Sequence, residues 1–321
     1  MPELSFVTLD VFTTKRFAGN PLAVVHVPAG TEIAQDTKQT IAREFNFSET
    51  VFLHEPAAGA TNPNEHIVDI FTTTQELPFA GHPTIGTASH VLKTGSVSDT
   101  ALLVKAGRIP IERVGTDDPL VVRASVPHDV HIHAGHLRTT EGIDAVLKSG
   151  AIGHGDPAIE KAELDAPVAS IVRGMSFVLV QLASLEQLAS LSAQGRGLDF
   201  DLLPSLLDAG PWSREEAGGH ISRYYYVVTG GEGNVVDIRT RMIGLREEDP
   251  ATGSAACTLA SYLTLTKGKE GTLNRYNITQ GVEMGRQSDI LVEVATSADG
   301  SIDKVFLGGS AVEVTRGKLA V

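Results

Sequence analysis

Short runs in which apolar and polar residues alternate fill most of this chain, and they predict a protein rich in β-strands. Segments with helical spacing interrupt them, and the segment at 253–266 is apolar nearly all round, which indicates a buried helix. Strands are predicted at residues 4–12, 22–27, 49–53, 67–72, 101–104, 109–114, 120–125, 176–182, 224–229, 235–240, 278–279, 290–295 and 312–314. Helices are predicted at residues 32–45, 83–93, 185–194 and 253–266.

One stretch of the chain occurs twice. Residues 76–89 read ELPFAGHPTIGTAS and residues 248–261 read EDPATGSAACTLAS, so both contain Glu-x-Pro-x-x-Gly, six further residues and Ala-Ser. VDIFT at 68–72 precedes the first copy, and VDIRT at 236–240 precedes the second with a spacer four residues longer. A strand, a Pro/Gly turn and an apolar helix are thus repeated in one order. A unit this long with only two copies predicts a duplicated domain.

The duplication predicts an α+β protein of two pseudo-symmetric domains, each a curved, mostly antiparallel sheet wrapped around a central helix. We place the boundary near residue 126, because residues 127–156 are rich in Gly and His and look less regular. Residues 1–126 then form the N-terminal half, joined by the last strand near 312–321, and residues 127–311 form the C-terminal half. The two central helices are expected to begin on opposite sides of a cleft.

The charge and cysteine content of the chain limit the kinds of partner and the cellular compartment that we expect. Lys and Arg total 26 against 39 Asp and Glu, a net charge of −13 that argues against a nucleic-acid or anionic-membrane surface. The single cysteine, Cys257, excludes an intrachain disulfide and suits a reducing compartment. The N-terminus does not resemble a secretory signal, and no apolar run approaches the ~18 residues of a membrane span. We therefore expect a cytoplasmic protein.

Both repeated turns bring glycine-flanked backbone amides to a helix start. Such a start carries partial positive charge and N–H donors, so it can bind a carboxylate or phosphate, although a single turn of this kind is more often an ordinary helix cap. The lone Gly81-x-x-x-x-Gly86 is not a phosphate-binding loop, because the Lys-Ser/Thr of that motif is missing. The residues concerned are Gly81, His82 and Pro83 in the first copy, and Thr252, Gly253 and Ser254 in the second.

Three titratable residues lie in or near these turns, namely Glu49, His82 and Asp249. A carboxylate flanked by apolar residues, as Glu49 is, can work as a general base. Each residue also has an ordinary structural interpretation. Glu49 alone could be a solvated strand-edge charge, His82 a hydrogen-bonded structural imidazole, and Asp249 a helix cap.

Several motifs in fixed order resemble those of the PhzF-like phenazine-biosynthesis family, which is similar in fold to diaminopimelate epimerase. The motifs are DVFT at 10–13, FAGNPLAV at 17–24, SETVF at 48–52, ELPFAGHPT at 76–84 and EDPATGSA at 248–255. The resemblance implies a two-domain fold with pseudo-two-fold symmetry, usually assembled as a homodimer. It also implies a small anionic substrate that carries a carboxylate.

The resemblance assigns roles to residues that the sequence alone leaves open. Glu49 corresponds to the proton-shuttling carboxylate of the family, and His82 and Asp249 correspond to its catalytic partners. Gly81 and Ser254 occupy the positions that hold the substrate carboxylate, and we take Pro83, Thr252 and Gly253 beside them as further substrate-binding candidates. The defining enzyme isomerises trans-2,3-dihydro-3-hydroxyanthranilate without a cofactor, by moving a proton between two ring carbons.

The epimerase relatives use a pair of cysteines, one from each half, and this chain lacks such a pair. Cys257 is its only thiol, and it lies inside the apolar helix, where an inert buried residue is expected. The sequence thus predicts an isomerase with a one-base proton shuttle and no two-cysteine racemisation.

A second set of residues competes for a chemical role. His128, His131, His133 and His136 cluster in residues 127–136, and His131 and His133 would share one face of a strand, so a divalent metal site is conceivable. The segment is linker-like and has no Asp or Glu at ligand spacing, so we expect solvated surface residues and no metal.

The sequence is compatible with three hypotheses about function. The first is a cofactor-independent isomerase that uses Glu49. The second is a catalytically silent relative that binds small molecules or other proteins, since residues can outlast an activity. The third is a metal-dependent hydrolase that uses the histidine cluster.

Overall fold

The computed structural model describes residues 3–56, 59, 62–94, 100–115, 119–192, 198–217, 220–244, 248–268 and 271–321. The strands in chain order are β1 (Glu3–Val11), β2 (Asn20–Val27), β3 (Thr50–His54), β4 (Glu65–Phe71), β5 (Glu76–Leu77), β6 (Thr100–Val104), β7 (Gly107–Val114), β8 (Val121–Val126), β9 (His131–Ile132), β10 (Val168–Val172), β11 (Met175–Gln181), β12 (His220–Glu232), β13 (Val235–Ile243), β14 (Glu248–Asp249), β15 (Leu273–Gln280), β16 (Ser288–Thr296), β17 (Ile302–Gly309) and β18 (Ala311–Ala320).

Helices are fewer and mostly short. They are α1 (Gln35–Phe45), α2 (Gly81–Thr94), α3 (Ile143–Ser149), α4 (Pro157–Leu164), α5 (Leu185–Ser190), α6 (Arg214–Ala217) and α7 (Gly253–Lys267), with short 3-10 helices at Leu137–Thr139, Phe200–Leu202 and Gly210–Trp212. In the part of the chain that the structure describes, no helix is both long and apolar enough to cross a membrane. Gly95 follows the predicted helix at residues 83–93, where glycine commonly ends a helix, but it lies outside the described residues.

The chain forms two compact units. The first comprises Met1–Val126, Arg286–Asp289 and Phe306–Val321, and the second comprises Pro127–Gly285 and Ile290–Val305. The C-terminal half expected from the sequence ran to residue 311, so the structure assigns residues 286–289 and 306–311 differently. Residues 286–289 are held to the first unit by side-chain and backbone hydrogen bonds. The Arg286 guanidinium donates to Asp10 Oδ1 at 2.8 Å and to the carbonyls of Ala18 and Gly19. The backbone N–H of Gly19 donates to the Gln287 carbonyl at 3.0 Å, and that of Asp289 donates to the Phe12 carbonyl at 2.7 Å.

The sequence repeat is present in the strand pairing of each unit. In the first unit, β4 pairs antiparallel with the two-residue strand β5, α2 follows, and β6 returns parallel to β4. In the second unit, β13 pairs antiparallel with β14, α7 follows, and β15 returns parallel to β13. The preceding strands also correspond, since β2–β3 and β11–β12 are parallel while β3–β4 and β12–β13 are antiparallel.

Helix α2 is the central helix of the first unit. It packs against β1, β2, β3, β7, β8 and β18, and Ile85 and Ala88 are completely buried. Gly86 permits this close packing, because a Cβ there would lie 2.5 Å from Leu22 Cδ2 and 2.8 Å from Val11 Cγ2. The second glycine of Gly81-x-x-x-x-Gly86 is therefore explained by helix–sheet packing.

Helix α7 is the buried helix of the second unit. It packs against β10, β11 and β15, and ten of its residues from Gly253 to Thr264 are buried. This agrees with the apolar pattern around the whole helix, which leaves no face suited to water.

The region from residue 127 to 156 is more regular than the sequence suggested. It contains β9, a 3-10 helix and α3, and it is followed by α4 and β10, none of which the pattern predicted. Helix α3 is only seven residues long, with glycines of positive φ, Gly142 and Gly150, at its two ends. So short an element spans less than the window in which helical periodicity can be recognised.

Candidate active site

Glu49 lies at the junction between α1 and β3. Helix α1 ends at Phe45, and Asn46 takes the left-handed conformation (φ 53°) and donates its N–H to the Ala42 carbonyl. Glu49 then directly precedes Thr50, the fully buried first residue of β3. Its side chain is 17% exposed. The carboxylate is thus shielded from most of the solvent.

His82 is the second residue of α2 and faces Glu49. Its Nδ1 atom lies 3.5 Å from Glu49 Oε2, and only 5% of the residue is exposed. Gly81 and Pro83 on either side are buried as well. Pro83 occupies the first turn of the helix, where its missing N–H costs no intrahelical hydrogen bond. The first unit therefore brings a carboxylate and an imidazole together at a helix N-terminus, where a negative charge is favoured.

The second repeated turn, in the other unit, holds Asp249 by a side-chain contact. Asp249 ends β14, and its Oδ2 accepts a 2.6 Å hydrogen bond from the hydroxyl of Thr252. Gly253 begins α7 and is buried, whereas Ser254 after it is partly exposed. Within this unit the predicted residues Asp249, Thr252, Gly253 and Ser254 are therefore close together.

The glutamate shared by the two repeats has a structural role. Glu76 accepts a hydrogen bond from Lys105 Nζ at 3.0 Å. Glu248 forms a bidentate ion pair with Arg241, in which both N···O distances are 2.7 Å. Arg241 also donates to the carbonyls of Leu188 and Leu191 at the end of α5. Sequence reasoning missed Arg241, and the only available signal was the repeated glutamate itself.

Cys257 is buried inside α7. It is completely inaccessible to solvent, and this burial raises the pKa of its thiol to about 12. A thiol with that pKa is protonated at neutral pH, so it is neither a nucleophile nor a base.

The histidine cluster is not a set of solvated surface residues, which corrects the expectation from the sequence. His133 is 3% exposed, its Nδ1 accepts the N–H of Asp208 at 3.1 Å, and its Nε2 lies 2.8 Å from Ser170 Oγ. His131 Nε2 binds Asp208 Oδ2 at 2.7 Å, and its ring stacks on Trp212 with centroids 4.5 Å apart. Asp208 was overlooked because it lies 77 residues from His131 in the sequence.

His131, His133 and Asp208 offer ligand atoms within 4.8 Å of one another, as a metal site requires. However, both ring nitrogens of His133 already take part in hydrogen bonds within the protein. To bind a metal, His133 would have to give up one of these bonds, because each nitrogen has only one lone pair or proton. The arrangement fits a structural role, in which the 208–212 segment is fixed to β9.

Acid is expected to destabilise the protein through His133. Burial, reinforced by His131, lowers the pKa of His133 from 6.5 to about 4. Between these values the unfolded chain binds a proton that the folded chain does not, so stability rises with pH and is lost as pH falls from 6.5 towards 4. Melting temperatures between pH 7 and pH 4.5 should fall less steeply for His133→Gln than for the wild type. Parallel curves for the two proteins would contradict this prediction.

Comparison with known proteins identifies relatives along the whole chain. The family model described as phenazine biosynthesis-like protein matches residues 9–317. An uncharacterized isomerase of Mesorhizobium japonicum is 33% identical, with 100% of both chains covered. A trans-2,3-dihydro-3-hydroxyanthranilate isomerase of Pseudomonas chlororaphis is 30% identical, with 98% of this chain and 99% of that protein covered.

A solved structure has the same fold. The PhzF-family phenazine biosynthesis protein of Bacillus anthracis matches with a TM-score of 0.75 and 19% identity, over 100% of both chains. At this identity the likeness concerns the fold alone, and it confirms the predicted α+β, diaminopimelate epimerase-like class.

Proposed function

Because the chain belongs to the phenazine biosynthesis-like family, whose members include named isomerases, we propose that it moves a proton within a small carboxylated substrate. Glu49 removes the proton from one carbon and returns it to another, so substrate and product have the same composition. Such a shuttle needs no cofactor, since one carboxyl group both accepts and donates the proton. A reaction like that of trans-2,3-dihydro-3-hydroxyanthranilate isomerase fits this chemistry.

The contact between Glu49 and His82 is the observation that carries the proposal. A carboxylate 3.5 Å from a buried imidazole, itself part of a helix start, is an arrangement suited to acid–base work. His82 and Asp249 are proposed to orient the substrate and balance its charge. Gly81, Pro83, Thr252, Gly253 and Ser254, at the starts of α2 and α7, are proposed to bind the substrate carboxylate.

Two-cysteine racemisation is not part of the proposal. Cys257 is the only cysteine in the sequence, and its pKa of about 12 supports an inert role. The homodimer and the cytoplasmic location that the sequence suggested stay predictions.

Solvent-deuterium incorporation tests the proposed function. The purified protein is incubated in D2O with trans-2,3-dihydro-3-hydroxyanthranilate, and carbon-bound deuterium and product are followed by NMR and mass spectrometry. Enzyme-dependent incorporation at one ring carbon is expected. Other small cyclic carboxylates with an acidic C–H bond form a second panel, because the natural substrate can differ from that of the relatives. Binding of such compounds in thermal-shift assays without any exchange would instead favour a catalytically silent binding protein.

A further inference from the structure

A buried glutamine lies behind Asp249. Gln280 is the last residue of β15 and is completely inaccessible to solvent. Its Nε2 atom lies 2.8 Å from the Asp249 carbonyl oxygen and 3.0 Å from Thr252 Oγ1. Its Oε1 atom accepts the N–H of Thr252 at 3.2 Å and lies 3.0 Å from the hydroxyl of Tyr224. The Gln280 side chain thus contacts both Asp249 and Thr252, the two residues whose side chains are hydrogen-bonded to each other just before α7.

The backbone fixes the orientation of this amide. If the Gln280 amide were rotated by 180°, its NH2 group would face the N–H of Thr252 and its oxygen would face the carbonyl of Asp249. Both contacts would be repulsive, because a donor would meet a donor and an acceptor would meet an acceptor. Nε2 must therefore point to Asp249 and Thr252 Oγ1.

This orientation determines where the Thr252 hydroxyl proton points. Thr252 Oγ1 accepts a hydrogen bond from Gln280 Nε2, and its own single proton is donated to Asp249 Oδ2 over 2.6 Å. Hydrogen bonds to a charged acceptor are the stronger ones, so the Asp249 carboxylate is held in one orientation. Without the glutamine, the hydroxyl of Thr252 would lose the partner that directs it.

Tyr224 extends the chain of hydrogen bonds into the core. Its hydroxyl oxygen lies 3.0 Å from both Thr240 Oγ1 and Gln280 Oε1, and both Tyr224 and Thr240 are fully buried. Burial raises the pKa of Tyr224 above its usual value, so the phenol stays protonated. Because an amide oxygen only accepts, the phenol proton is donated to Gln280.

We propose that Gln280 is a positioning residue of the active site, which orients the Asp249 carboxylate through Thr252 and is itself fixed by Tyr224. This inference rests on the proposed function, in which Asp249 takes part in the proton transfer. Gln280 does not touch the substrate, and it acts by restricting the Thr252 hydroxyl and the Asp249 backbone before the substrate binds.

The chain offers a matched control at the other end of α7. Tyr276 is a buried tyrosine on β15 whose hydroxyl lies 2.8 Å from Thr264 Oγ1. Tyr276→Phe therefore removes a buried tyrosine hydrogen bond next to the same helix, as Tyr224→Phe does. The two variants should lose comparable stability, and only Tyr224→Phe should affect Asp249.

The experiment compares Gln280→Met, Tyr224→Phe, Tyr276→Phe and the wild type. Product formation from trans-2,3-dihydro-3-hydroxyanthranilate, followed together with deuterium incorporation, gives kcat and KM, and a melting curve reports stability. Gln280→Met should lower kcat at least about 10-fold while KM changes less. Tyr224→Phe should lower kcat about threefold, and Tyr276→Phe should keep kcat within about twofold of the wild type. Backbone amide exchange of a peptide covering residues 248–254 should accelerate most in Gln280→Met, less in Tyr224→Phe and not in Tyr276→Phe.

The inference is overturned if Gln280→Met keeps the kcat of the wild type, or if Tyr276→Phe loses as much activity as Tyr224→Phe. Should Gln280→Met fail to fold, the two tyrosine variants decide the outcome by the same comparison. A wild-type protein that neither forms product from this substrate nor incorporates deuterium into it or into the panel of cyclic carboxylates would overturn the proposed function itself. The wild-type rate thus distinguishes the two failures.

Discussion

Glutamine in place of Glu49 is expected to slow deuterium exchange into the substrate by about 100-fold or more, the usual contribution of a general acid–base group. Glutamine has the same shape as glutamate and can still contact His82, but it cannot take up a proton. Substrate binding, measured by calorimetry, should change less than about threefold. The loss should therefore fall on kcat.

Glu44→Gln is the matched control for this prediction. Glu44 is an exposed residue of α1, five positions before Glu49, and its replacement makes the same change in net charge. Exchange rates within about twofold of the wild type are expected for it, because exposed charges are screened by solvent. Equal rates in Glu49→Gln and the wild type would remove Glu49 from the mechanism, and equal losses in both variants would indicate a general effect of charge.

Glu163→Gln is expected to cost about 3–5 kcal/mol of the free energy of unfolding, the typical effect of breaking a buried ion pair. Glu163 and Arg223 are both completely buried, and Arg223 donates from one terminal nitrogen to Glu163 Oε1 at 2.7 Å and to the Ala151 carbonyl at 2.8 Å. The hydroxyl of Tyr225 and the N–H of Gly153 also bind this carboxylate. A neutral amide would leave the guanidinium charge buried without compensation.

Urea unfolding measures this effect, and Asp165→Asn provides the comparison. Asp165 follows the same helix, α4, and pairs with Arg138 and Lys161 on the surface. Its replacement should change the urea midpoint far less, because exposed ion pairs contribute little. The double variant Glu163→Gln/Arg223→Met should recover part of the loss, since it removes the uncompensated charge. If the two single variants were equally stable, the buried pair would not contribute as proposed.

The sequence predicted those parts of the fold that repeat or that are long. Helix α7 could be recognised because its residues are apolar all round, and the two copies of Glu-x-Pro-x-x-Gly located both helix starts. Short elements such as α3 and α4 were missed, because seven or eight residues bounded by glycine or proline carry little periodicity. The brief return of residues 286–289 to the first unit was missed as well, since it depends on hydrogen bonds to residues 10–19, which are far away in the sequence.

The sequence predicted some residues of the candidate site and missed others. Glu49 and His82 came from a family resemblance, and their separation of 3.5 Å became visible only in the structure. Gln280 could not be found from the sequence, because it lies 28 residues from Thr252 and 56 residues from Tyr224 and belongs to no motif. The spacing of the histidines in residues 127–136 suggested metal ligands as one alternative. The buried hydrogen bonds of His133 favour a structural role.

The amino-acid sequence by itself determined the duplicated strand–turn–helix unit, the absence of a second thiol and the negative net charge, because these are properties of residue order and number. Only the tertiary structure decided which side chains meet across sequence distance. Hydrogen bonds and ion pairs form between atoms a few ångströms apart, and local pattern does not encode that proximity. The hydrogen-bond partners of Asp249, Glu163 and His133 therefore depend on how the strands pair. The turn that carries Asp249, in contrast, can be recognised from the sequence repeat.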